Sequence, residues 1–230
     1  YMKKLKDTLK DNFPKLLSYY YKLRFIFRAF YKKEPRAHLF WILRRADNRF
    51  HKKHNLNKNS IFFDVGGFEG KFTEKILKEF DCKSYIFEPH PVYFKILEEK
   101  YSKNENVKVF EYGLGKINQE LYLTDESAGS KIVDYEADYK ISIKDINEVI
   151  DVLNIGKIDL LKLNIEGSEY ELLDYLIDTR KIEIMESVLV QFHENVPNYL
   201  NHRAKIRKHL SKTHKEIWSY YFVWERWDRK

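Results

Sequence analysis

A single cysteine, Cys82, stands among 230 residues, which leaves no partner for an internal disulfide and no thiolate cluster for a metal. A reducing, cytoplasmic setting fits that usage. No apolar run approaches the ~20 residues that a helix needs to cross a bilayer, and no short apolar segment with a small-residue cleavage site follows the start. Neither a membrane span nor secretion is expected. Glycine is scarce as well, with eight in the whole chain, so three of them within five positions, Gly66, Gly67 and Gly70, mark a place where the backbone itself has work to do.

What is present describes a globular chain. Hydrophobic residues make up 43% and charged residues 33%, enough apolar surface for one full-sized core, with room for a small appendage but not for a second complete domain. The formal net charge is +7, and the excess lies mostly in residues 1–58 and 201–230. Such ends suit nucleic acid, an anionic membrane surface or a substrate carrying a diphosphate, and charge alone does not choose among them.

Residues 3–58 read as helices without strand-like alternation, with aromatics at 19–21, 25 and 27 interleaved with Lys and Arg. They are expected to form an N-terminal helical appendage, packed on the main domain through lysine stems or lying on a membrane surface. The polar run 51–60 marks its boundary, which places the main domain at residues 59–230. His51 and His54 within that run are read as a solvated basic linker rather than metal ligands.

The main domain opens at Ile61-Phe62-Phe63-Asp64-Val65-Gly66-Gly67-Phe68-Glu69-Gly70, a strand that runs through a glycine turn into a helix. A dinucleotide fingerprint fails here because Phe68 stands where the second glycine should be, and a Walker A loop fails because Gly70-Lys71 is followed by Phe72. The pattern is Asp-x-Gly-x-x-x-Gly. An acid at a strand tip with no phosphate cradle suits a nucleoside that carries positive charge, and S-adenosylmethionine is such a ligand.

The rest of the chain extends a doubly wound α/β reading. A helix carries Phe72, Ile76, Leu77 and Phe80 on one face. A second strand, Ser84–Phe87, ends at Glu88, whose distance of 24 residues from Asp64 suits a carboxylate that binds both ribose hydroxyls. Pro89-His90-Pro91 stops that strand, and Pro91 opens a helix through Phe94, Leu97 and Tyr101. A third strand, Val107–Tyr112, runs into Gly113-Leu114-Gly115, a loop placed near the base of the nucleoside. The segments 120–123 and 139–143 flank a small-residue loop, Ser127–Ser130, read as a lid. A helix through Ile146, Val149, Ile150 and Leu153 is expected to stop at Gly156. The fourth strand, Ile158–Ile165, passes into Glu166-Gly167-Ser168-Glu169 and a helix, and the fifth, Ser187–Phe192, ends at His193-Glu194. An aromatic run, 216–227, closes the sheet on an antiparallel edge.

Asp64-Val65-Gly66, Phe87-Glu88-Pro89-His90-Pro91 and Asp159-Leu160-Leu161-Lys162-Leu163-Asn164-Ile165-Glu166-Gly167-Ser168-Glu169 together resemble the FkbM family of S-adenosylmethionine-dependent methyltransferases, over about residues 60–195. The resemblance implies a Rossmann-like class I methyltransferase with a mostly parallel seven-stranded sheet, and O-methylation of a sugar hydroxyl. Carried over position by position, it places Asp64, Gly66 and Gly70 near the methionine part of the cofactor, with Gly67 and Phe68 in the same turn. Glu88 and Pro89 fall at the ribose, Gly113 and Leu114 at the base, and Asn164 with Glu166 beside the sulfonium. The family often carries Asp where this chain has Asn164, which removes a negative charge and weakens a metal role there. No close acidic cluster marks a metal site elsewhere, although a divalent ion acting through Glu166 and His193 stays open.

A sugar hydroxyl needs a base, and a histidine with an unperturbed pKa of about 6.5 is the usual one. His193 is the expected base, oriented by Glu194 or Glu166, with His90 in reserve. Three functions are consistent with this reading. The first is a sugar O-methyltransferase that acts on a nucleotide-activated sugar or a surface-polysaccharide precursor, releases S-adenosylhomocysteine and needs no nucleic-acid partner. The others are an RNA methyltransferase, and a non-catalytic assembly protein held at the inner face of a membrane by residues 16–32. A composition rich in Lys, Asn, Ile, Tyr and Phe hints at an AT-rich bacterial genome, and so at capsule or lipopolysaccharide.

Overall fold

The computed structural model describes residues 14–44, 46, 50, 54–124 and 132–230. Residues 3–13 of the expected appendage, His51 and the expected lid Ser127–Ser130 lie outside the described residues. The chain divides into two compact units, Tyr1–Asp47 and Asn48–Lys230. The polar run 51–60 belongs with the second, because Phe50 and Leu56 on either side of its start pack against buried Phe62 and Ile76.

The first unit contains α1, Pro14–Ala29, and α2, Lys33–Leu43. Helix α1 begins on a proline, whose missing N–H costs nothing in a first turn. It ends under Arg36, which donates from Nε to Ala29 O at 3.0 Å and from Nη2 to Phe30 O at 2.7 Å, satisfying carbonyls that a helix end leaves open.

The second unit is built on seven strands. β1 is Ile61–Val65, β2 Lys83–Phe87, β3 Val107–Phe110, β8 Leu160–Leu163, β9 Ser187–Val190, β10 His214–Tyr220 and β11 Trp224–Arg229, in the spatial order β10-β11-β9-β8-β1-β2-β3. β11 runs antiparallel to both its neighbours and the other pairs are parallel. Alternation along β1 shows why both faces are covered: Phe62 joins Leu160, Leu189 and Ile76 on one side, while Phe63 and Val65 join Leu161, Val188 and Leu173 on the other. The helices are α3, Lys71–Phe80, α4, Pro91–Tyr101, α5, Ile146–Val152, α6, Glu169–Asp178, and α7, Tyr199–Thr213. The doubly wound, mostly parallel fold is the one expected.

Two local expectations change. Gly113–Gly115 is a short strand, β4, and not a loop: it pairs parallel with β7, Tyr139–Asp145, in a second sheet ordered β4-β7-β5-β6, where β5 is Gln119–Leu123 and β6 Ile132–Val133. The glycines let β4 lie flat on Ile143, since a Cβ at Gly113 or Gly115 would meet that side chain at 2.8 and 2.6 Å. Helix α5 stops at Asn154 rather than Gly156. Asn154 takes φ 52, and the bonds Asn154 N–H to Asp151 O and Ile155 N–H to Ile150 O form a Schellman cap. The aromatic run 216–227 forms the antiparallel edge expected of it, as the β10–β11 hairpin, which turns at Phe222 with φ 50.

Candidate active site

The carboxyl ends of β1, β2 and β8 meet at Gly66. Its N–H donates to Phe87 O at 3.0 Å on β2, its φ is +83°, and a Cβ there would lie 2.1 Å from Asn164 O at the end of β8. Only glycine lets the turn after β1 pass that carbonyl.

Glu88 organises one wall of the cleft. Its side chain is buried, with Oε2 accepting from Phe68 N–H at 2.7 Å and Oε1 from His90 N–H at 3.0 Å. Burial pushes its carboxyl up, against the pull of those two N–H groups. Each oxygen has taken one donor and keeps a lone pair for another. His90 starts α4: its Nδ1 accepts from Val92 N–H at 3.3 Å, and its ring packs on Tyr93 and Tyr139 with centroids at 4.7 and 4.5 Å. A ring nitrogen committed to capping a helix is not open to a substrate, so the reserve base is placed as a structural cap on the cleft wall.

Glu169 organises the opposite wall. It is fully buried, with Oε1 accepting from Ile165 N–H at 2.8 Å and Oε2 from Gly167 N–H at 2.9 Å. These bonds pin the turn in which Glu166 takes φ 53 and Gly167 φ 113, a strained non-glycine conformation at Glu166. His193 Nδ1 donates to Glu169 Oε1 at 2.7 Å, and its Nε2 lies 3.4 Å from Glu166 Oε1. Burial alone would lower the His193 pKa, but hydrogen bonds and charge from Glu166 and Glu169 outweigh it and push it up to about 10. The carboxylates that flank the ring are Glu166, as expected, and Glu169, and both favour its charged form.

Between the two walls lies a cleft of about 840 Å³, counting the space at its open mouth. Gly66, Phe68, Glu88, Pro89, His90, Gly113, Leu114, Asn164 and Glu166 all line it, so the structure brings these sequence-selected positions together. Asp64, Gly67, Gly70 and His193 do not line it. Asp64 is fully buried; its carboxylate pairs with Lys162 Nζ at 2.7 Å and accepts from Thr73 Oγ1 at 2.5 Å. It reaches the cleft only through Lys162, which donates to Gly66 O at 2.6 Å. Gly67 and Gly70 are packing positions, since Cβ atoms there would meet Ile86 at 2.3 Å and Leu97 at 2.7 Å. Lys162 and Glu169 carry functions that sequence reasoning missed. The signal for Glu169 was an acid in the first turn of a helix, three residues beyond Glu166.

The donor and acceptor set fits a cationic nucleoside. Asn164 Oδ1 is buried and has no hydrogen-bond partner among the described residues, Glu88 and Glu166 present carboxylates, and no Lys or Arg is among the described lining residues. Among the described residues, no group of three or more His, Cys, Asp and Glu is arranged to hold a metal ion.

Residues 57–220 match the family model of the methyltransferase FkbM domain. Among solved structures, the chain is similar to a putative rRNA-methylase from Clostridium thermocellum, with 8% identity over 80% of this chain and 94% of that one and a TM-score of 0.51. It is also similar to a chain of a fibrillarin/Nop5p complex, with 12% identity over 80% and 79% and a TM-score of 0.50. At such identities these likenesses establish the class I methyltransferase fold alone. No curated protein sequence matches.

Proposed function

The chain belongs to the FkbM methyltransferase family, and from that premise we propose that it uses S-adenosylmethionine to methylate a sugar hydroxyl on a nucleotide-activated sugar or a surface-polysaccharide precursor. The observation that carries the reading is the wall of the cleft: two carboxylates and an unpartnered amide oxygen, with no described lysine or arginine. Such a wall favours a cationic donor and a neutral, hydroxyl-bearing acceptor. It offers no cation among its described residues to any phosphate, so the backbone of an RNA, like the diphosphate of an activated sugar, would rest outside the described lining.

Each residue then has a task. Glu88 takes the two ribose hydroxyls on the lone pairs its backbone donors leave open. Asn164 Oδ1 receives a donor from cofactor or acceptor, and Gly66 lets either come close to the backbone. The bound cofactor would supply a methyl group on a sulfonium, open to in-line displacement by oxygen. Glu166, partly exposed in the cleft, accepts the proton of the attacking hydroxyl. His193, protonated and held by Glu169, fixes the position of Glu166, and alignment of this kind supplies much of the acceleration in a displacement.

The test is mass-spectrometric detection of methyl transfer to a panel of nucleotide-activated sugars and oligosaccharides, with ribosomal RNA fragments alongside and with or without chelator. A sugar product one methyl heavier supports the reading. Methyl transfer to RNA alone, or no binding of S-adenosylhomocysteine, overturns it.

A further inference from the structure

The first unit carries a surface that its own fold does not explain. Of the described residues from Tyr19 to Leu43, eleven large hydrophobic side chains are exposed, against seven among the described residues of the second unit. Five are more than three-fifths exposed: Tyr19, Phe27, Phe30, Tyr31 and Leu43. Phe27 and Tyr31 lie on successive turns with ring centroids 5.0 Å apart, and Phe30 joins them at the end of α1. Scattered exposed apolar residues are ordinary, but this density in two short helices is not.

Charge identifies what covers it. Residues 14–44 contain eight lysines and arginines and one acid, Glu34. Lys22, Arg24, Arg28, Lys32 and Lys33 are exposed among the aromatics. A second copy of this unit would set like charge against like. A duplex nucleic acid would take up the cations and leave the aromatic rings in water, and a single strand, which can stack bases on rings, would still leave aliphatic Leu23, Ile26, Ile42 and Leu43 uncovered. An anionic lipid surface satisfies both, because its headgroups pair with the cations while the acyl boundary receives the rings.

We infer that α1 and α2 dock the protein on an anionic membrane surface. The helices lie on the membrane and do not cross it, since no helix among the described residues is long and apolar enough to span one. Tyrosine and phenylalanine are suited to that depth, and each lysine or arginine near the surface strengthens the attachment. The inference is independent of the methyl acceptor, and it favours a membrane-borne acceptor only if both hold.

The experiment uses the full chain and sedimentation with vesicles of phosphatidylglycerol and phosphatidylcholine, against phosphatidylcholine alone. Binding to the mixed vesicles, weakened by salt, and little binding to the neutral ones is expected. A charge variant, Lys22→Glu, Arg28→Glu and Lys32→Glu, is expected to lower the partition coefficient about a hundredfold. An apolar variant, Phe27→Ser, Phe30→Ser and Tyr31→Ser, should lower it at least about tenfold, with thermal melting unchanged because all three side chains are exposed. Equal sedimentation of wild type and both variants, binding to neutral vesicles alone, or binding to an RNA homopolymer but not to vesicles each overturns the inference.

Discussion

Lys162 Nζ lies 2.7 Å from Asp64 Oδ1, with the two side chains 5% and 0% exposed. The residues are register partners on the adjacent parallel strands β8 and β1. The same ammonium donates to Gly66 O at 2.6 Å. The acid that precedes the glycine turn is thus joined to that turn by a cation from the next strand.

Breaking that pair strands a buried charge. Lys162→Met is expected to cost about 3–5 kcal/mol and to lower the melting midpoint by roughly 10 °C, read by thermal denaturation. Combining it with Asp64→Asn should restore a large part of the loss. A double variant as unstable as the single would show that the two charges are not coupled.

Gly66 and Gly156 form a contrast. Gly66→Ala places a Cβ 2.1 Å from a backbone oxygen at φ +83°, whereas nothing lies within 4 Å of a Cβ at Gly156. Chemical denaturation should show Gly66→Ala destabilised by at least about 3 kcal/mol. Gly156→Ala should stay within about 1 kcal/mol of wild type.

Glu88→Gln replaces an acceptor oxygen with an amide that faces a backbone N–H, and removes one proposed ribose partner. Calorimetric titration with S-adenosylhomocysteine should show affinity down about ten- to a hundredfold. Because burial holds the Glu88 carboxyl above the ordinary range, wild-type binding should weaken as pH falls through that raised value, earlier than an exposed glutamate would dictate. The Gln variant should lack that step.

His193 has a folded pKa of about 10 against an ordinary 6.5. Its pairing with Glu166 and Glu169 therefore stabilises the fold fully below about 6.5, and that stabilisation is lost as pH rises towards 10. Urea denaturation of wild type and His193→Gln should converge across this window. NMR should find the ring protonated at pH 8 and, in Glu169→Gln, titrating at lower pH. A ring that titrates near 6.5 in the wild type would return His193 to the role of base.

Glu166→Gln removes the proposed proton acceptor but keeps the shape of the turn. The turnover number should fall by about two orders of magnitude or more, with binding of S-adenosylhomocysteine within a few-fold of wild type. Unchanged turnover would move the base elsewhere.

Much of this site is legible in the chain because its signals are local. Apolar residues before Asp64 and glycines after it describe a strand and a turn, and Glu88 and Glu166 announce themselves as acids at strand ends. Local signals failed where a non-glycine residue turned the chain: Phe68, Asn154, Glu166 and Phe222 all take positive φ. Of these, Phe68 is held by Glu88 from another strand end and Asn154 by the cap of its own helix. Local signals also failed at Gly113–Gly115, where two glycines marked close packing on Ile143 and not a loop.

The sequence by itself determined the order of strands and helices, the family, and the placing of acids at the tips of β1 and β2 and in the turn after β8. Only the tertiary structure decided which acids face the cleft. Asp64, Glu88 and Glu169 are all buried acids near a glycine turn, and their functions differ because of what meets them across space: Lys162 for Asp64, two backbone N–H groups for Glu88, two more and His193 for Glu169. A carboxylate's charge, its proton and its availability to a ligand depend on its nearest donors, and here those donors come from segments far away along the chain.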